Sequence, residues 1–141
     1  MRNRPIVYIA SPYTKGDPCI NTHFQMQIFN LLMNEGRVWP VIPLVTHFMH
    51  TAFPRPYKDW IEYDLALIPK YDICLRLNAE FILPNGVQYK STESSGADGE
   101  VALFQKLGKP VFYTIEHLYK WLDKKEEEWR AEQKAGEELR F

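Results

Sequence analysis

The sequence predicts an α/β domain built on a three-layer, doubly wound parallel sheet of four to five strands, flavodoxin-like or Rossmann-like in arrangement. Four short apolar runs, each bounded by proline, glycine or charged residues, indicate buried strands. Segments of helical periodicity lie between these runs, and strands that alternate with helices indicate a parallel sheet covered on both faces. The length of 141 residues favours one domain with one core.

The predicted strands, in chain order, are residues 5–10, 38–43, 71–77 and 110–113. A first helix ends at Gly36, and its apolar residues recur at helical spacing: Ile20, Phe24, Ile28, Leu31 and Leu32. A second helix spans about residues 58–68 and is followed by Pro69. A third begins near Ser94, carries Val101, Phe104 and Leu107, and ends at Gly108.

Two segments have no strong pattern. Residues 78–92 are predicted to be an irregular loop, and a loop of this length inside a compact domain is usually functional or mobile. Residues 123–141 are mostly charged, which indicates a solvated helix, a frayed tail or a partner-binding helix. We therefore divide the chain into a domain of residues 1–122 and a charged C-terminal helix or tail of residues 123–141.

The bulk composition limits the classes of function. A formal net charge of −1 argues against binding to nucleic-acid backbones or anionic membranes. The apolar stretch near the start, residues 6–10, is far too short for a signal peptide or a membrane span. Two scattered cysteines, Cys19 and Cys74, do not form a disulfide framework or a metal motif. We expect a cytoplasmic protein with free thiols, no metal and no cofactor, and Cys74 as a core residue.

In an open parallel sheet, ligands bind outside the carboxyl ends of the strands. The end of the first strand and the start of the third helix are expected to meet there. Ser94 and Ser95 are candidate helix caps, and Gly96 leaves backbone amides uncovered, so this helix start indicates either an anion site or an ordinary cap. Glu100 follows in an early turn, where a glutamate often does no more than compensate the helix dipole.

Two further residues are candidates for chemistry. Asp64 has apolar neighbours on its predicted helix face. It is therefore either buried, where it finds partners or has a raised pKa that suits a general acid, or it lies at the margin of that face. Tyr8 lies near the carboxyl end of the first strand, where its hydroxyl points into the crevice or packs in the core.

The chain resembles the nucleoside 2-deoxyribosyltransferases and their hydrolase relatives, the deoxynucleoside 5′-monophosphate N-glycosidases. The resemblance covers roughly residues 5–115 and depends on four pieces in order: Val7-Tyr8-Ile9-Ala10-Ser11-Pro12; Tyr63-Asp64-Leu65 with Tyr71-Asp72-Ile73; Ser94-x-Gly96-x-x-x-Glu100; and Gly108-Lys109-Pro110-Val111. It implies that Glu100 is the nucleophile and forms a glycosyl-enzyme intermediate, that Tyr8 holds the carboxylate of Glu100 in line, and that Asp64 gives a proton to the leaving base.

The resemblance also bears on the substrate. Serine six residues before the nucleophile, with glycine two residues later, resembles the monophosphate hydrolases, so Ser94 and Gly96 imply a nucleoside 5′-monophosphate. Ser95 and Ser11 are further candidates for substrate contacts, although the first loop lacks the glycine that family members often have. Relatives complete the site with a neighbouring subunit, which implies a homodimer or a higher homo-oligomer.

Aromatic and histidine residues are candidates for contacts with the base. His47 and Tyr13 lie in segments that follow predicted strands, and the aromatic segment 53–60 is a further candidate, with ordinary packing as the default. His47 and His50 have a spacing compatible with metal ligation, but no third ligand has a suitable context. Asp72 begins a strand and is expected to be structural.

We therefore predict a small-molecule enzyme that releases a base from a nucleotide, with water or a second base as the acceptor. The rival hypothesis is a Rossmann-like module that senses a nucleotide without turnover. A phosphoribohydrolase without a covalent intermediate is a third reading, and it would normally show a glycine-rich phosphate loop, which is absent. The sequence also has no Walker motif and no dinucleotide fingerprint.

Overall fold

The computed structural model describes residues 4–139. In chain order the elements are β1 (Ile6–Ala10), α1 (Pro18–Glu35), β2 (Trp39–Val41), α2 (Leu44–Phe48), α3 (Tyr57–Leu67), β3 (Ile73–Arg76), β4 (Ala79–Ile82), β5 (Gln88–Ser91), α4 (Ser95–Lys106), β6 (Val111–Phe112) and α5 (Ile115–Glu138). Single turns of 3₁₀ helix, Met49–Thr51 and Ile68–Lys70, follow α2 and α3.

The main sheet has four parallel strands in the order β2-β1-β3-β6. Side chains alternate across it, as the pleat requires. From β1, Val7 and Ile9 enter a core with residues of α1 and α5, whereas Tyr8 and Ala10 enter a core with residues of α4. The three-layer α/β prediction is therefore confirmed, and all four predicted strands are present.

Helix α1 is capped at both ends. The Asp17 side chain accepts hydrogen bonds from the backbone N–H groups of Cys19 and Ile20, which would otherwise have no partner at a helix start. At the other end Gly36 adopts a left-handed φ of 71° and its N–H donates to the Leu32 carbonyl. The predicted end at Gly36 is correct, although Leu31 lies 41% exposed, outside the buried stripe.

The irregular loop predicted for residues 78–92 is wrong. This segment forms an antiparallel hairpin of β4 and β5, with Phe81 opposite Tyr89. Its turn is closed by the Gly86 N–H, which donates to the Leu83 carbonyl at 2.8 Å, and Gly86 has a φ of 83°. The Pro84-Asn85-Gly86 turn was the signal for a hairpin in the sequence. In the structure, burial alternates along β4.

The predicted boundary at residues 122 and 123 falls inside a continuous helix. Helix α5 buries Leu118 and Leu122, and then Arg37 pairs with Asp123 and Glu126 across 2.7 and 3.2 Å. The rest of α5 is mostly exposed. The end of the predicted tail, Arg140 and Phe141, lies outside the described residues. Within residues 4–139, no helix combines the length and apolar composition needed to cross a membrane.

Gly36, which ends α1, and Gly136, which lies inside α5, form a matched pair for substitution. Gly36→Ala should lower the free energy of unfolding by about 1 kcal/mol or more, because alanine is strained at a φ of 71°. Gly136→Ala should instead be neutral or raise it by less than about 1 kcal/mol, because Gly136 is inside α5 and an added Cβ meets no atom within 4 Å. Thermal denaturation of both variants checks this, and a shift of equal sign in both would rule out the assigned role of Gly36.

Candidate active site

The candidate site is built around the carboxyl group of Glu100. Glu100 lies in the second turn of α4 and is only 8% exposed, facing the sheet. Tyr8 projects from β1 toward α4, and its hydroxyl donates a hydrogen bond to Oε2 of Glu100. The Tyr8 ring is held between Tyr71 and Phe104, with ring centroids 5.5 and 5.7 Å away. The orientation of the Glu100 carboxyl is therefore fixed by a rigid side chain on the central sheet.

The ionisation of this pair follows from its burial. Burial raises the pKa of Glu100 from 4.5 to about 8, and the nearby charge of Asp64 adds to the rise, whereas the Tyr8 hydrogen bond and the Arg76 charge lower the pKa. Burial, followed by the charge of Glu100, also raises the pKa of Tyr8 well above its usual range. The hydroxyl of Tyr8 therefore stays protonated and serves as a hydrogen-bond donor.

Asp64 is buried and paired. It is 3% exposed on α3, and its Oδ2 shares a hydrogen bond with Nε2 of His47, which is 4% exposed on α2. A buried carboxylate without a partner would be costly, and the imidazole supplies that partner. Of the two arrangements open for Asp64, the structure shows the buried one. His47 contacts Asp64 through Nε2, while its buried Nδ1 has no hydrogen-bond partner among the described residues.

A cavity of about 270 Å³ connects the two carboxyl groups. Asp64 and Glu100 lie on facing helices and line the cavity together with residues of the α3 face and of the α4 start: Tyr57, Ile61, Leu65, Ser95, Gly96 and Gly99. The cavity is therefore bounded by two carboxyl groups, a tyrosine, apolar side chains and a helix start that has little side-chain cover.

The first turn of α4 separates the predicted serine roles. The Ser94 hydroxyl accepts a hydrogen bond from the Ala97 N–H at 3.1 Å and so caps the helix. Ser95 and Gly96, by contrast, line the cavity. A Cβ at Gly96 would lie 3.2 Å from the Tyr57 hydroxyl, so glycine permits the close approach of α3 and α4 at this point. Any anion bound here would meet Ser95 and the backbone amides of this turn.

The other predicted residues lie around this centre. Ser11 is buried, and its hydroxyl accepts a hydrogen bond from Nε2 of Gln25 at 2.8 Å, so it supports the end of β1. Tyr13 is half-buried and its ring meets the His47 ring edge-on, with centroids 5.7 Å apart. Asp72 accepts a hydrogen bond from the Ile6 N–H at 2.8 Å, as expected of a structural residue.

His50, Cys19 and Cys74 do not line the cavity. Nδ1 of His50 accepts hydrogen bonds from the Arg55 N–H and the Trp60 indole, each at 3.1 Å. Burial raises the pKa of Cys74 to about 12, which suits a core residue. Cys19 is exposed, and both thiols are free. Across residues 4–139, no group of three or more His, Cys, Asp or Glu side chains is placed to hold a metal ion.

Sequence reasoning missed Arg76, and it included Tyr57 only as part of the candidate segment 53–60. Arg76 ends β3, is 8% exposed, and donates hydrogen bonds to the carbonyls of Leu77 and Thr92 at 2.6 and 2.7 Å. Its charge lowers the pKa of Glu100. The signal was an arginine inside an otherwise apolar run, residues 73–77. Within segment 53–60, Tyr57 lines the cavity, and its position there depends on how α3 packs against α4.

No protein-family model, curated protein or solved structure matches this chain.

Because Glu100 is buried, its ionisation is expected to lower the free energy of unfolding. Because the folded-state pKa of about 8 exceeds the ordinary 4.5, the folded protein binds the extra proton between these values, and stability falls as pH rises through this window. Glu100→Gln removes that titration and keeps an acceptor for Tyr8. The free energy of unfolding of Glu100→Gln, relative to that of the wild type, should therefore rise by up to about 1.4 kcal/mol for each pH unit across this window.

Chemical denaturation at pH 6, 7 and 8 measures this gain. Glu132→Gln, which changes an exposed glutamate on α5, is the control and should follow the wild type. A stability difference between Glu100→Gln and the wild type that stays constant with pH would show that Glu100 does not titrate as described.

Proposed function

We propose that this protein cleaves the N-glycosidic bond of a nucleoside or deoxynucleoside 5′-monophosphate through a covalent intermediate on Glu100. The single observation that carries the proposal is the geometry of the buried carboxyls. Glu100 is oriented by the Tyr8 hydroxyl and shares one cavity with Asp64, which is paired with His47. A glycosidase that retains configuration needs such a pair: one carboxylate to attack and one acid to assist departure.

The first step forms a bond between a Glu100 carboxylate oxygen and the anomeric carbon of the sugar. The bond from that carbon to the base nitrogen breaks, and its electron pair leaves with the base. A proton from Asp64 neutralises the departing nitrogen. The product is a glycosyl ester of Glu100 and a free base, with Asp64 now ionised beside His47.

The second step releases the sugar. Water, or a second base, attacks the same anomeric carbon, and the bond to the Glu100 oxygen breaks. The Asp64 carboxylate takes the proton of the attacking group, so both carboxyls return to their starting states. Which acceptor is used depends on whether water is excluded from the cavity once the first base has left.

The first step needs Glu100 in its ionised form, because only the carboxylate attacks the anomeric carbon. Because the pKa of Glu100 is raised to about 8, the carboxylate is the minor form at pH 7 in the free protein and becomes more abundant as the pH rises.

The start of α4 supports a phosphate on the substrate. Ser95 and Gly96 line the cavity on the same helix as Glu100, one to two turns before it. Backbone N–H groups at a helix start and the positive end of the helix dipole favour an anionic group. A 5′-phosphate bound there would lie on the same helix that presents Glu100 to the sugar.

A panel of nucleotides tests the proposal. The protein is incubated at pH 8 with ribo- and deoxyribonucleoside 5′-monophosphates and the matching nucleosides, with and without a free acceptor base, and the products are separated by chromatography. Base release from at least one monophosphate is expected, with slower release from its nucleoside. Release without exchange indicates a hydrolase, and base exchange indicates a transferase.

Variants complete the test. Glu100→Gln should lower turnover by at least about 10³-fold, because the amide does not attack. Glu62→Gln, which changes an exposed glutamate on α3, is the control and should keep wild-type turnover. Nucleotide binding without any base release would instead support the sensing module, and full turnover in Glu100→Gln would exclude the covalent mechanism.

A further inference from the structure

A buried asparagine holds the loop that follows β1. Asn21 of α1 is fully buried, and its Nδ2 donates hydrogen bonds to the carbonyls of Tyr13 and Lys15 at 2.8 and 2.9 Å. Its Oδ1 accepts a hydrogen bond from the Tyr89 hydroxyl of β5 at 2.9 Å. One side chain thus connects the loop after β1 to the β4–β5 hairpin.

The hairpin forms two further hydrogen bonds with the same loop. The Tyr89 hydroxyl accepts a hydrogen bond from the Asp17 N–H at 2.8 Å, and the Ser91 hydroxyl donates one to the Lys15 carbonyl. Gly16 lies against Tyr89 so closely that a Cβ there would be 2.3 Å from the hydroxyl oxygen. Residues 13–17 have no helix or strand of their own, so these contacts determine their position.

The near end of this loop contacts the candidate site. Asn21 binds the Tyr13 carbonyl, and the ring of the same Tyr13 lies edge-on to the His47 ring, with an interplanar angle of 89°. The Tyr13 hydroxyl donates to the His47 backbone carbonyl at 3.4 Å. His47 in turn shares a hydrogen bond with Asp64. A continuous chain of contacts therefore runs from Tyr89 in the hairpin to Asp64.

We propose that Asn21 and Tyr89 are positioning residues, which hold Tyr13 against His47 and so fix the His47–Asp64 pair for proton transfer to the leaving base. The inference depends on the proposed function for its kinetic part. The hairpin is inserted between β3 and α4, outside the cavity lining, and acts through the loop rather than on substrate.

Tyr89→Phe tests this with two readouts. The first compares turnover of a nucleotide, whose base needs a proton to leave, with turnover of 4-nitrophenyl 2-deoxyribose 5-phosphate, whose leaving group does not. The ratio does not depend on the fraction of folded protein. We expect Tyr89→Phe to lower it about three- to tenfold, the size of one or two hydrogen bonds. Tyr113→Phe, which removes an exposed hydroxyl elsewhere, should leave the ratio unchanged.

The second readout does not need activity. The ring-proton NMR signals of His47 should shift in Tyr89→Phe and stay in place in Tyr113→Phe, because the Tyr13 ring is next to His47. If the wild type cleaves neither substrate, the proposed function fails while the His47 signals still decide the positioning role. Unchanged His47 signals, or an equal loss with both substrates, would overturn it. Ser91→Ala, which removes only the bond to Lys15, repeats the test if Tyr89→Phe does not fold.

Discussion

The burial of the Glu100 carboxyl between the central sheet and α4 is the constraint on which the rest of the site depends. A carboxyl group removed from water needs a hydrogen-bond donor, and Tyr8 supplies one from the most central strand pair of the sheet. That arrangement holds the second turn of α4 against β1, and the same turn lines the cavity through Gly99 and Glu100. Ionisation of Glu100 lowers the stability of the fold as the pH rises toward 8.

The second buried carboxyl explains the shape of the other wall. Asp64 needs a partner, and His47 reaches it only because α2 and its 3₁₀ turn fold back beside α3. The loop after β1 then packs on His47 through Tyr13, and the hairpin packs on that loop. These contacts support the His47–Asp64 pair from the hairpin inward, and both carboxyl groups line one cavity.

Local pattern predicted the elements that periodicity defines. The apolar runs gave all four parallel strands, and Gly36 marked the end of α1, because these features depend on neighbouring residues. The hairpin of residues 79–91 was missed because each strand has only four residues and β5 is largely polar, despite a Pro-Asn-Gly turn. The His47–Asp64 pair was also missed, since it depends on how α2 and α3 pack. Topology and resemblance placed Tyr8 next to Glu100, as the structure does. Two serines were candidates for the cap of α4, and which of them caps it depends on where the first turn begins.

Whether Glu100 carries the sugar covalently is the central claim, and intact-protein mass spectrometry tests it most directly. A 2-deoxy-2-fluoro nucleoside 5′-monophosphate slows the release of a glycosyl ester, because fluorine destabilises the positive charge of the transition state. Incubation followed by peptide mapping should show one sugar phosphate on the peptide that contains Glu100, and none in Glu100→Gln. Base release from the fluorinated nucleotide without an adduct on Glu100, or an adduct that persists in Glu100→Gln, would contradict the account.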